Sequence, residues 1–203
     1  SWVRSSAVKA WALAGAFLFS GCGVFIPHPP VPHELLVEDA AVETYAASLM
    51  QTILAVTPHA HLADRYYVHL ARLASWRGLA GAAAGGGIIY LDYGLARAAF
   101  DHPRSAAATN FAMVLAHEIA HEVAGHQARA TFAARYAPSW NDDAGRQARE
   151  LEADRLAIGY WRALGWECGV WVRRFEADLR AGRDGLHHPT DRRLGQARAL
   201  CAP

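Results

Sequence analysis

The chain has 203 residues, of which 53% are apolar and 19% charged, with a formal net charge of +1. That length supports one well-filled domain, and the apolar content excludes intrinsic disorder. Acidic and basic residues alternate, so no basic stripe or aromatic-interleaved patch points to nucleic acid.

The first residues, SWVRSSAVKAWALAGAFLFSGCG, place Arg4 and Lys9 ahead of an apolar run from Ala10 to Phe19, then small residues at a cysteine. This is the layout of a secretory signal peptide over 1–21. Phe19-Ser20-Gly21-Cys22 resembles a bacterial lipobox, which implies a lipid on Cys22. Gly23, in place of an aspartate, then implies sorting to the outer membrane, facing the periplasm. The alternative is an uncleaved membrane anchor, although the apolar run is short for a span. Residues 22–33 are proline-rich and read as an extended tether, with a folded domain over 34–203. In an exported protein the two remaining cysteines, Cys168 and Cys201, can pair. Two buried thiols are the other possibility.

Along the domain, Val42, Tyr45, Leu49, Ile53 and Val56 recur at helical spacing and predict an amphipathic helix over 34–56, ended by Pro58. A strand is expected over 65–73. The stretch 75–87 is too glycine-rich for a regular element, and 88–91 is a short β-type run. A brief helix over 93–100 closes at His102-Pro103, and a long helix runs from 105 to about 128. Residues 129–145 read as an irregular excursion or broken helix. Helices over 146–164 and 166–181 end at Gly165 and Gly182. The loop 183–189 leads to a last helix, capped by Thr190 and running to 200. The fold class is α+β, mostly α, with a small sheet.

The long central helix carries His117-Glu118-Ile119-Ala120-His121, the pattern HExxH. Residues four apart are offset by about 40° and one turn, so both imidazoles leave one face. Two imidazoles so placed can take two corners of a tetrahedral Zn²⁺ site. Glu118 points about 100° away, near enough to reach a water at the metal without binding it, as a general base requires. The bland alternative is a helix with satisfied, partly buried histidines. A third ligand from the same segment fails, because Ala124 and Gln127 stand where HExxHxxGxxH needs glycine and histidine. His126 is one residue out of register and on a continuing helix points away from the metal, as a packing or surface residue. A later helix, RELEADRLAIGY, offers Glu150 and Asp154 on a shared face. Glu150 can complete the ligands, and Asp154 can accept the free ring N–H of a metal-bound histidine. Glu152 lies about 200° around from Glu150 and is expected to face elsewhere. A merely solvated helix face is the alternative.

HEIAH followed by the Glu-Leu-Glu-Ala-Asp-Arg helix resembles the CaaX-prenyl-endopeptidase-like zinc metallopeptidases, the HtpX- and BepA-like group. GGIIYLDYGL (86–95) is similar to that family's strand and Gly-Leu turn, and HHPTDRRL (187–194) to its late His-Pro…Arg segment. The resemblance spans roughly 66–200. The family's Asn-Ala-aromatic element is replaced by GLAGAAA (78–84), the His-Pro to Arg spacing is one residue short from His188, leaving His187 as a substitute, and no helical-repeat extension follows. The resemblance implies a zincin-like metallopeptidase domain that binds one Zn²⁺ through His117, His121 and Glu150. It further implies Glu118 as base, His188 as oxyanion donor and Arg193 as electrostatic support. Ile88–Leu91 is then the edge strand that receives a substrate strand, and the substrates are unfolded or misassembled envelope proteins. Latency and a regulatory partner are compatible with the same pattern. Other expectations are a lipid-anchored chaperone-like factor that holds clients with little or no proteolysis, and a metal-free helical lipoprotein.

Overall fold

The computed structural model describes residues 31–77, 79–129, 143–182 and 191–202. The signal segment, Cys22, His187 and His188 and the excursion over 130–142 lie outside the described residues. Among those described, seven α-helices and three strands follow one another. They are α1 (Ala40–Leu54), β1 (Tyr67–Ala71), α2 (Leu73–Arg77), β2 (Gly81–Gly85), β3 (Ile88–Asp92), α3 (Tyr93–Asp101), α4 (Ala106–Val123), α5 (Asp143–Ala163), α6 (Gly169–Arg180) and α7 (Asp191–Leu200). The class is α+β and mostly helical. None of the described helices is long and apolar enough to cross a membrane.

Helix α1 starts six residues later than its periodicity suggests. The Asp39 side chain caps it by accepting the Val42 N–H, while the chain just before it pairs along β1, with Val37 N–H donating to the Leu70 carbonyl. Backbone pairing there outcompetes continuation of the helix. Helix α4 starts at Ser105, whose side chain accepts the Ala108 N–H. It is apolar nearly all round, burying Phe111, Met113, Leu115 and Ile119 together with Ala112, Ala116 and Ala120. Such a helix belongs at the centre of a fold. It packs against α1, α3, α5, β2 and β3. Buried alanines on α4 and on α5 (Ala153, Ala157) let these two helices approach closely.

The sheet order is β1-β3-β2, with β1 parallel and β2 antiparallel to β3. Leu70, Ile89 and Leu91 face the core. Two expectations fail here. The glycine-rich stretch does hold a regular strand, β2, and Ile88–Leu91 is central rather than at the edge. The physical reason is close approach: a Cβ built on Gly81 would stand 2.8 Å from Val114 Cγ1 and 2.9 Å from Glu118 Cγ. The small residues of β2 therefore mark a strand laid directly on α4.

Toward the C-terminus, Trp161, Trp166, Trp171 and Phe175 pack edge to face beneath α5, α6 and α7. Helix α6 begins at Gly169, three residues later than expected. Cys168 and Cys201 stand at disulfide distance, with Cα atoms 5.4 Å apart, and fasten the end of α7 to the start of α6.

Candidate metal centre

His117 and His121 leave α4 on the side that faces α5, and Glu150 and Asp154 leave α5 toward them. His117 Nε2 lies 3.0 Å from His121 Nε2 and 3.2 Å from Glu150 Oε2, and His121 Nε2 lies 3.5 Å from Glu150 Oε1. Ligand atoms held tetrahedrally at zinc distances stand about 3.3 Å apart, so the three converge at the spacing of a metal's inner ligands. Among the described residues, they are the one cluster of three or more His, Cys, Asp or Glu that could hold an ion.

The outer contacts decide the tautomers. His117 Nδ1 is 3.0 Å from Asp154 Oδ1, so it carries the proton and donates, leaving an Nε2 lone pair. Asp154 is fully buried and is gripped by Arg193, whose Nε and Nη2 donate to it at 2.5 and 2.8 Å. The same guanidinium lies 3.4 Å from Glu150 Oε2 and stacks on Phe175 at 5.3 Å. His121 is oriented by His126, expected only to pack or to lie at the surface. His126 is buried, with Nδ1 2.9 Å from His121 Nδ1 and Nε2 3.1 Å from Glu152 Oε2. His126 thus donates to Glu152 and accepts from His121, which again frees an Nε2 lone pair for the centre.

The expectation that His126 points away assumed a continuous helix, and it is corrected. Helix α4 stops at Val123, and Gly125 turns the chain with φ +66°, a left-handed conformation that glycine adopts without a Cβ penalty. The next turn then brings His126 back under His121. Glu152 faces away from Glu150, as expected, and meets His126. The signal that could have exposed His126 was Ala124-Gly125, a helix-stop pair.

Two imidazole lone pairs 3.0 Å apart repel unless a proton or a cation lies between them. Without a cation, burial alone would push His117 down, but Asp154 and Glu150 together hold it up to about 10. Burial likewise resists ionisation of Glu150, yet His117, His121 and Arg193 keep its carboxyl well below the usual range. The pocket is built to surround positive charge. Two imidazoles and a carboxylate suit Zn²⁺ and neighbouring first-row divalent ions alike.

Glu118 leaves α4 toward β2. Burial raises its carboxyl to about 7, with His117 pulling it down, Glu150 pushing it up and the Ala83 N–H donating to it. One turn on, Glu122 accepts the N–H groups of Gly85 at 2.6 Å and Gly87 at 2.9 Å. Helix α4 therefore has two titratable stripes, histidines toward α5 and glutamates toward the edge strand.

Compared with known proteins, the chain matches no family model and no curated sequence.

Proposed function

We propose that the chain is a zinc metalloendopeptidase with a zincin-like domain, exported and anchored to the outer membrane by lipid at Cys22. Its substrates on this reading are unfolded or misassembled envelope proteins. The observation that carries the proposal is the convergence of His117, His121 and Glu150 beside a half-buried Glu118 that adjoins a sheet edge. Those three residues would hold Zn²⁺, which when bound supplies a Lewis acid for activating water and polarising the scissile carbonyl. Glu118 takes the proton of the attacking water and delivers it to the leaving amine, and a carboxyl raised toward neutrality suits that double role. Arg193 and Asp154 hold His117 in its ligating tautomer. The family resemblance makes His188 the donor to the developing oxyanion. A substrate adds as a further strand along β2, where backbone pairing gives affinity with little sequence preference.

The test is Glu118→Gln, loaded with zinc and incubated with casein or an unfolded porin. The expected result is one metal per chain with cleavage reduced by about two to four orders of magnitude. Full proteolysis by that variant removes Glu118 from the role. A wild-type chain that binds metal and unfolded protein but leaves the protein intact is a client-binding factor instead. Elemental analysis without stoichiometric metal at neutral pH ends the metalloenzyme reading.

A further inference from the structure

The carboxylate of Glu122 has no part in the metal cluster, yet both its oxygens are committed to one short segment 35 to 37 residues away. That segment is the turn joining β2 to β3. The Asp92 N–H donates to the Ala80 carbonyl, so alternation along the strand directs Ala80 and Ala82 toward β3 and Gly81 and Ala83 outward. The register shifts between Ala83 and Gly85, where the ladder ends. On the outer side, the Glu118 side chain lies against Gly81, and the Gly85 N–H donates to Glu122. The two glutamates of α4 thus stand one turn apart along one strand edge, with Glu122 holding its far end.

We propose that Glu122 is a positioning residue that pins the hairpin to α4 and closes the edge at Gly85. A peptide joining β2 then pairs beside Gly81–Ala83, next to Glu118, and cannot slide on past the turn. A carboxylate is required because it alone offers two acceptor oxygens to two N–H donors. Glutamine keeps one and sets an NH₂ against the other amide. This inference rests on the peptidase reading of the edge, and it concerns register rather than chemistry.

The experiment uses the full zinc-loaded chain with E122Q and E122A, each alone and combined with E118Q. E122Q serves where E122A fails to fold. Amide exchange at Gly85 and Gly87, zinc content, steady-state cleavage of a casein peptide and anisotropy of the same labelled peptide on the E118Q forms are measured together. Zinc content is expected to stay at one per chain while exchange at Gly85 and Gly87 quickens about tenfold, as the pin opens. Peptide affinity falls about fivefold to tenfold, KM rises more than kcat falls, and cleavage spreads to neighbouring bonds. Unchanged exchange overturns the inference, and so do unchanged affinity and cleavage positions when exchange has quickened. Wild type that binds peptide in a Glu122-dependent way without cutting it sinks the peptidase and leaves the edge. Wild type that cuts at sites indifferent to both variants does the reverse.

Discussion

His126 lies five residues beyond the second imidazole of HExxH, and its 2.9 Å contact with His121 makes it the residue that decides how that ring is presented. Outer partners of metal-bound histidines typically carry one to two orders of magnitude of metal affinity. His126→Ala should therefore weaken zinc binding by about 10- to 100-fold in a competitive chelator titration. An unchanged affinity would show that His121 orients itself. Titration gives a second expectation at this scale. His117 is raised from 6.5 to about 10 in the metal-free chain, so its stabilising contribution is full below 6.5 and is lost as pH rises through about 10. Glu118, raised from 4.5 to about 7, works in the same direction over its lower window, losing stability as it ionises. Thermal melts of the metal-stripped chain should accordingly fall as pH climbs from 6.5 toward 10. Added zinc should reverse this and raise the melting temperature more at pH ~8 than at pH ~6, because binding must displace the His117 proton. Equal zinc shifts at both pH values would contradict the assignment of that proton.

Among the elements, β2 departs furthest from what its composition suggests. All seven residues from Gly81 to Gly87, which form this strand and its turn, are glycine or alanine, a run that in another context reads as loop, yet the strand pairs with β3 and lies on the face of α4 that carries Glu118. Gly81→Ala places a methyl within 3 Å of Val114 and Glu118, where something must shift. The expected cost is about 1–3 kcal/mol of stability by denaturant unfolding. Peptidase activity should fall further than zinc content, since Glu118 moves while His117 and His121 face the other way. A fully active, fully stable variant would mean that the strand can back away from α4. The helices were more legible: α3, α5 and α7 lie close to where periodicity and glycine stops put them, because each signal is local to its own segment, while α4 begins as expected but stops at Val123 instead of running to about 128.

For the whole molecule, the C-terminal helix is the least obvious contributor to the centre. Arg193 on α7 neutralises buried Asp154 on α5, and α7 is fastened to α6 through Cys168 and Cys201 across 33 residues. Closing a loop of that length removes about 3–4 kcal/mol of unfolded-state entropy in the chain-entropy model. Reduction, or Cys201→Ser, should lower unfolding stability by about 2–4 kcal/mol. It should also weaken zinc binding, since a loosened α7 releases Arg193 from Asp154. A loss of stability with unaltered zinc affinity would confine the cysteine pair to a purely structural part.

From the order of residues alone came the helical spacing that sets His117 beside His121 and Glu150 beside Asp154, and with it the mostly helical class. Spacing of this kind depends on the geometry of one helix and on nothing distant. Folding decided the rest: that β3 is central and β2 the edge, that Gly125 returns His126 to His121, that Glu122 holds Gly85 and Gly87, and that Arg193 reaches Asp154. Each of these depends on which elements share a core, and burial of apolar surface over the entire chain, rather than any local pattern, makes that choice.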